Sequence, residues 1–369
     1  MGRSEQADCG TGTGDKPLRY GHIKRFIRFL PIFAAIALFL SGCSLLQEST
    51  PINDGDSGLT VYFIDVGQAD STLIVCDGET MLIDGGNAAD SDLIYSFLRS
   101  HGVKRLDYIV ATHAHEDHVG GLSGALNYAT ADTALCPVTE YDSRAFNSFD
   151  KYLGEQGKVI TVPSHGDAFK LGGADVMIVA PVQKFDDPNN TSIVMKITYG
   201  STSFLFTGDA ERDSEQSILE AGYDISATVL KVGHHGSDTS TTYPFLREIM
   251  PQYAVISCGD GNSYGHPHEN TLSRLRDADV VLYRTDMQGT VTCRSDGGTV
   301  SIEVERNADA VTNPTVLSED EDYYIGNTNS MKFHRPSCSG LPAEANRVLF
   351  DTRGAAVSAG YDPCGRCKP

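Results

Sequence analysis

Four side chains able to bind a metal, His113, His115, Asp117 and His118, stand within the six residues His113-Ala114-His115-Glu116-Asp117-His118. Neutral imidazole nitrogens suit zinc, and a carboxylate adds an oxygen ligand that also suits manganese. Further donors follow at later strand ends. Asp209 closes the apolar run Phe204-Leu205-Phe206-Thr207-Gly208-Asp209, placed to bridge two cations, and Val229-Leu230-Lys231-Val232-Gly233-His234-His235-Gly236-Ser237 runs into a histidine pair. Two divalent cations about 3.5–4 Å apart lower the pKa of a water between them and stabilise the oxyanions of an in-line displacement. A merely polar, His-rich surface loop would not be followed by donors at those positions.

These residues need a scaffold of strands that end at one edge. Short apolar strands are expected at 59–66, 71–75 and 81–83, separated by Gly-Gln-Ala-Asp and Asp-Gly-Glu turns. Residues 92–100 carry apolar side chains at helical spacing, 106–111 form a buried strand that delivers the histidine cluster, and 119–128 form a helix. The second half predicts strands at 159–162, 175–180, 192–198, 203–207, 227–232, 253–257, 279–284 and 289–294. Helices are expected at 211–221, 243–249 and 268–277. Strands first and helices interleaved later, twice over, imply two sheets face to face with helices outside, an α/β four-layer αββα sandwich over 58–305. Residues 306–322 read as a polar linker without periodicity.

From about 58 to 300 the chain resembles the metallo-β-lactamase superfamily, and more narrowly the hydrolase domain of ComEC-type competence proteins. The narrower likeness is carried by Phe63-Ile64-Asp65-Val66-Gly67-Gln68-Ala69-Asp70, Ile83-Asp84-Gly85-Gly86, Asn189-Asn190-Thr191-Ser192, Lys231 to Ser237, and Tyr264-Gly265-His266-Pro267-His268. The resemblance implies that His113 and His115 hold a first metal and Asp117 with His118 a second, with Asp209 bridging and His234 completing the second site. The chain departs from the lactamase pattern at the first site, where it offers Asn189, Asn190 and Ser192 in place of a third histidine. Asp117 is expected to orient the nucleophile as well as bind metal, and Asp84 to fix a ligand histidine. His235, His266 and His268 are candidates to contact phosphate or protonate the leaving oxygen. For each the alternative is a packing or capping role, and His268 could simply start the helix at Asn270. Lys231 would neutralise phosphate or be a solvated strand lysine, whereas Asp65 and Asp70 read as turn-forming residues.

The C-terminal 47 residues carry His334, Cys338, Cys364 and Cys367 as H-x3-C-x25-C-x2-C. One histidine and three cysteines make a tetrahedral structural zinc site that largely folds a unit of this size, the alternative being metal-free thiols. The segment 323–369 is similar to the metal-binding domain of Ada, through Arg335-Pro336-Ser337-Cys338, Asn346-Arg347-Val348, Ala359-Gly360-Tyr361 and Pro363-Cys364-Gly365-Arg366-Cys367. That family places a methyl-accepting cysteine at the first ligand. His334 stands there, so methyl transfer is not implied, while Arg335, Arg347, Arg353 and Arg366 would be available to phosphate.

The one strongly apolar stretch, 26–40, follows Lys24 and Arg25 and ends in Leu40-Ser41-Gly42-Cys43. It is short for a span of roughly 20 residues and fits a signal h-region. Its end resembles a lipoprotein lipobox, which implies a signal peptide 1–42, lipidation of Cys43 and a tether 43–57. An ordinary secretory signal or a short anchor is the alternative. Residues 1–42 and 323–369 each hold six Lys/Arg against three Asp/Glu, so the net −20 of the chain becomes −26 over 43–322. An acidic body repels nucleic acid at long range, leaving local cations to attract it. Cys76, Cys136, Cys258 and Cys293 are scattered, and the sequence does not pair them.

The expected activity is that of an extracytoplasmic, lipid-anchored, metal-dependent phosphodiesterase that uses a metal-activated hydroxide. It would be a DNA nuclease related to DNA uptake, with two zinc or manganese ions in the hydrolase site and one zinc in the tail. Two alternatives stand beside it: a cell-wall phosphodiesterase acting on phosphorylcholine or teichoic acid esters, and a non-catalytic surface DNA-binding protein. Lactam hydrolysis fits less well, because the third first-site histidine is missing.

Overall fold

The structure is a computed structural model that describes residues 57–314, 323–336, 338–367 and 369. The expected signal 1–42, Cys43, nearly all of the tether and residues 315–322 of the linker lie outside the described residues.

In chain order the first strands are β1 (Leu59–Phe63), β2 (Ser71–Cys76), β3 (Glu79–Gly85), β4 (Arg105–Val110), β5 (Thr130–Leu135) and β6 (Ile160–Thr161). The next are β7 (Ala168–Leu171), β8 (Ala174–Ala180), β9 (Val194–Tyr199), β10 (Thr202–Phe206), β11 (Val229–Lys231), β12 (Tyr253–Ile256) and β13 (Val281–Arg284). Strands β14 (Val291–Ser295) and β15 (Val300–Val304) return to the first sheet. The two sheets run β15-β14-β1-β2-β3-β4-β5-β6 and β13-β12-β11-β10-β9-β8-β7. In each, an antiparallel meander passes into a parallel half, β3 to β6 in one and β10 to β13 in the other. Around them lie α1 (Ser91–Ser100), α2 (Glu116–Val119), α3 (Leu122–Tyr128), α4 (Arg144–Glu155), α5 (Arg212–Ala221), α6 (Tyr243–Ile249), α7 (Glu269–Asp277) and α8 (Thr285–Gln288).

Consecutive strand residues point to opposite faces, and here both faces are apolar. Ile74, Met81, Ile83 and Val110 meet Ile178, Met195, Phe204 and Phe206 between the sheets, where Phe63 and Phe206 stack at 6.0 Å. Their neighbours Leu73 and Leu82 turn outward onto Ile94, Leu122 and Phe146, and Leu205 and Leu230 onto Ile218, Phe245 and Leu275. The result is the α/β four-layer sandwich that the alternation predicts.

The expected helix 119–128 is two helices, broken at Gly120-Gly121. These glycines let the chain lie on the β3 turn: a Cβ on Gly121 would sit 1.9 Å from the carbonyl oxygen of Gly85, and one on Gly120 2.2 Å from the amide of Ala88. Strands β5, β7 and β15 and helix α4 were not anticipated. The first, Thr-Ala-Asp-Thr-Ala-Leu, lacks large alternating side chains. The described half of the expected linker, 306–314, is pinned to the sandwich rather than loose. Arg306 pairs with Asp65, and the Thr312 hydroxyl donates to the Leu282 carbonyl oxygen at 2.6 Å.

The C-terminal module is a four-stranded sheet, β18-β16-β17-β19, formed by β16 (Tyr324–Asn327), β17 (Lys332–His334), β18 (Arg347–Phe350) and β19 (Asp362–Pro363) with α9 (Arg353–Ser358). Its buried apolar cluster is Tyr324, Phe333, Ala356 and Tyr361, too little core to hold so small a unit without a further staple. No described helix is long and apolar enough to cross a membrane.

Candidate metal centre

The loop after β4 carries the histidine cluster, and its first residues are fixed by Asp84 at the end of β3. The Thr112 amide donates to Asp84 Oδ1 at 2.7 Å, its hydroxyl to Oδ2 at 2.7 Å, and His118 Nδ1–H to Oδ2 at 2.9 Å. Asp84 takes a left-handed φ of 58° that turns the chain toward the cluster. With Nδ1 so engaged, His118 presents Nε2 to the centre, 3.3 Å from Asp209 Oδ2.

Asp117, His118, Asp209 and His235 bring their donor atoms within 4.8 Å of one another. His118 Nε2, His235 Nε2 and Asp209 Oδ1 are buried and without a hydrogen-bond partner among the described residues. Buried polar atoms are rarely left in that state, so converging orphaned donors fit a divalent cation. At the neighbouring position His113 Nε2 lies 3.1 Å from His115 Nδ1 and 3.9 Å from Asp209 Oδ2. Asp209, on the loop after β10, thus faces both positions.

The histidine pair is arranged differently from the expectation. His234 and His235 both adopt positive φ, 49° and 53°, which swings the two rings apart. His235 is the one aimed inward. Its Nδ1–H donates to the Ser257 carbonyl oxygen at 3.0 Å, and Nε2 stands 3.4 Å from Asp117 Oδ2. It therefore takes the second-site place expected for His234 and is too buried, at 1 % exposure, to meet a leaving group. His234 lies at the rim, with Nδ1 3.1 Å from Glu211 Oε1 and Nε2 3.7 Å from Asp209 Oδ2.

Two residues read as peripheral prove central. Lys231 is 3 % exposed and its ammonium donates to Asp70 Oδ2 at 2.8 Å, while Asp70 Oδ1 lies 3.4 Å from His235 Nδ1. Lys231 is therefore neither solvated nor free for phosphate, and Asp70 does more than form a turn. Asp65 keeps its turn role, accepting from the Gly67 amide. The Asn-Asn-Thr-Ser segment is scaffold. Asn190 Oδ1 accepts from the Glu211 and Ser214 amides at the start of α5, and Ser192 Oγ accepts from the Asp209 amide at 3.1 Å. Ser192 Oγ also stands 3.5 Å from His113 Nδ1.

Electrostatics follow from the crowding of carboxylates. Burial works against a charged His118, yet Asp209, Asp84 and Asp117 raise it well above the usual histidine range. Burial likewise opposes a charged His235, but Asp209 and Asp70 prevail and raise it to about 10. His113 is held well below its usual value by burial and then by His118. Asp117 falls to about 2: burial favours its neutral form, and His118 and His235 overcome that. Such a centre is short of positive charge unless protons or cations fill it.

His266 is half-buried, with its ring 5.6 Å from that of His234 and 6.3 Å from that of His235. The Gln68 side chain donates from Nε2 to its Nδ1 at 3.2 Å, and Gln68 Oε1 accepts from the Gly259 amide at 3.1 Å. Burial, then His268, lowers His266 to about 4, so it is a neutral imidazole whose Nε2 carries the proton. His268 caps α7 and accepts from the Asp238 amide at 3.1 Å, a structural role.

In the tail, His334, Cys338, Cys364 and Cys367 also converge within 4.8 Å. Backbone amides of Gly340, Arg366 and Arg335 donate to the sulfurs of Cys338, Cys364 and Cys367, each at 3.4 Å. Burial holds His334 below its usual value, hence neutral. Neutral imidazole and amide-solvated sulfurs fit structural zinc. Of the arginines offered to phosphate, Arg335 reaches the Cys367 carbonyl oxygen, Arg347 that of Pro342 and Arg353 that of Pro369. Arg347 and Arg366 are exposed, and Arg335 and Arg353 are half-buried. Cys76, Cys136, Cys258 and Cys293 are buried free thiols.

Comparison with known proteins places this geometry in context. The model of the metallo-beta-lactamase superfamily matches residues 64–260, and that of the metal binding domain of Ada matches 313–369. The chain is 30% identical over 255 residues to ComE operon protein 3 of Bacillus subtilis, covering 63% of this chain and 33% of that protein. It is 30% identical over 260 residues to competence protein ComA of Neisseria gonorrhoeae, covering 70% and 35%. With recombination protein 2 of Haemophilus influenzae it shares 32% over 237 residues, covering 62% and 28%. The chain thus spans about a third of the length of these relatives.

Proposed function

From the premise that the chain belongs to the metallo-beta-lactamase superfamily and carries an Ada-like zinc domain, we propose that this hydrolase is a metal-dependent phosphodiesterase acting on DNA. The carrying observation is the donor set: Asp117 and Asp209 beside His118 and His235, with His113 and His115 at the neighbouring position that Asp209 also faces. Such a set, imidazole nitrogens joined by two carboxylates, suits zinc or manganese and the charge of a phosphoryl group. Two relatives named for competence and for recombination, processes that work on DNA, favour that polymer.

Bound there, two divalent cations would supply a lowered water pKa and charge stabilisation at phosphorus. The chain's own groups do the rest. Asp117 is ionised at neutral pH and 35 % exposed, which leaves its carboxylate free to accept a hydrogen bond from the attacking water and aim it. His266 keeps a proton on Nε2 and would donate a hydrogen bond to a phosphoryl or leaving oxygen, as a neutral donor rather than an imidazolium acid. Asp84 orients His118, and Asp70, held by Lys231, stands against His235.

The proposal extends to location. The Leu-Ser-Gly-Cys end of the apolar segment would anchor the chain outside the membrane through Cys43. In cells fed radiolabelled palmitate, wild type should take up label and Cys43→Ala should not; equal labelling would sink the anchor. For the activity, the full chain is incubated with Mn²⁺ or Zn²⁺ and either single-stranded DNA or bis-p-nitrophenyl phosphate, beside Asp117→Ala. Cleavage of both substrates by wild type alone supports the reading. Turnover of the small diester without DNA cleavage favours a cell-wall phosphodiester, and no turnover of either favours a binding protein.

A further inference from the structure

The zinc module does not hang free. Its Arg353 pairs with Asp277 at the end of α7, reaches the Ser273 hydroxyl and lies 3.5 Å from the Tyr243 hydroxyl, which itself pairs with Asp277. Within the module the same guanidinium sits 5.6 Å over the Phe333 ring and donates to the Pro369 carbonyl oxygen at 2.9 Å. Arg247 on α6 adds a bond to the Val357 carbonyl oxygen at 3.3 Å. The module is thereby fixed against α6 and α7.

Between the two lies a cleft of about 750 Å³. One wall is Glu211, Arg212, Asp238 and Thr239, and the other is Ser330, Lys332 and Asp362 of the module. The cleft leads to the metal centre through Glu211, whose carboxylate touches His234 at 3.1 Å, which in turn stands 3.7 Å from Asp209. Among the described residues no ion pair engages Arg212 on the near wall or Lys332 on the far one, and both are exposed. Asp362 Oδ1 is buried and without a hydrogen-bond partner among the described residues. The lining is mixed, with Tyr243, Pro244 and Pro363 beside polar groups that include the Gln216 and Asn270 amides.

We propose that this cleft, with the zinc module as its far wall, holds the single strand of nucleic acid running away from the scissile phosphate. The proposal rests on the diesterase reading for its substrate class. Arg212 and Lys332 face the phosphates from opposite sides. Asp362 and the amides take the donors and acceptors of unstacked bases, which are read on their edges in single strands. Residues 43–322 carry −26, and Glu211, Asp213 and Asp238 share this lining, so Arg212 and Lys332, its two exposed cations, are where a polyanion gains contact in the cleft. The module's part in DNA binding is thus to complete a groove, with Arg353 holding it in place rather than touching phosphate.

The test is fluorescence-anisotropy binding of a short fluorescein-labelled oligothymidylate with phosphorothioate linkages to the full, metal-loaded chain over a range of salt. Arg212→Ala and Lys332→Ala should each weaken binding several-fold at low salt and flatten the slope of log affinity against log salt by about 0.7, one phosphate contact in a single strand. Arg353→Ala, with its zinc retained by elemental analysis, should weaken binding at least as much, and Lys151→Ala on α4 should leave the slope alone. Unchanged affinity and slope in both Arg212→Ala and Lys332→Ala would overturn the inference, whether or not Arg353→Ala folds. If the slopes shift while neither DNA nor the small diester is cleaved, the cleft stands and the diesterase reading falls. The reverse pattern removes the cleft and keeps the enzyme.

Discussion

At the scale of single residues, the metal centre is a balance of charge. Three carboxylates, Asp84, Asp117 and Asp209, surround His118, and the folded chain answers by keeping His118 and His235 protonated. A group whose folded pKa lies above its unfolded one stabilises the fold fully below the unfolded value, and that contribution is lost as pH climbs through the folded value. For His235 the window runs from 6.5 to about 10. The chelated chain should therefore melt at a lower temperature at pH 9 than at pH 7, whereas metal binding, which must displace those protons, should tighten over the same interval. Calorimetry with and without chelator checks both; a chelated chain no less stable at pH 9 would contradict the assignment. Lys231→Met strands the Asp70 carboxylate, and breaking a buried pair in this way costs about 3–5 kcal/mol. Urea unfolding should show the midpoint fall with an unchanged slope. Neither residue declares this in the sequence: the partners are 161 positions apart, and a Gly-Gln-Ala-Asp stretch reads as turn chemistry. The order of the histidine pair was equally hidden, since adjacent identical residues differ only in the backbone angles that aim them.

Whole elements were more legible, because two apolar faces leave a strong trace. Strands β8 to β14 and helices α5 to α7 lie within one or two residues of their expected places, which is the usual blur of element ends. What escaped was set by contacts between distant backbones. The break at Gly120-Gly121 exists because the loop carrying His118 packs on the turn after β3 with no room for a side chain. Gly121→Ala should displace that loop and lower metal affinity along with stability, by more than the 1–3 kcal/mol typical of overpacking, roughly. Isothermal titration with Mn²⁺ would detect it, and a variant with wild-type affinity would show that the glycine contact is dispensable. Asn190 supplies the start of α5 from outside the helix, so Asn190→Ala should cost about 1 kcal/mol, as lost caps do. A thermal melt unchanged by that substitution would deny Asn190 the role.

At the scale of the molecule, a large acidic sandwich carries a small module that has scarcely any core of its own. Cys364→Ser should release about one equivalent of zinc, unfold 323–369 and leave the sandwich intact. A metal-sensitive dye together with limited proteolysis would follow this, and retention of zinc by a protease-resistant tail would refute it. The module's position against α6 and α7 could not be read from sequence, because arginines in an Ada-like segment look like phosphate ligands until Asp277 and Tyr243 are seen beside one of them. Those three thiols also impose an order of events. Cys338, Cys364 and Cys367 sit close enough to share one ion, and so close enough for two of them to be joined by an oxidant. If the chain leaves the reducing compartment as proposed, it enters a race in which zinc must arrive before a disulfide does, and the module would then record whether its maker was replete with zinc at export.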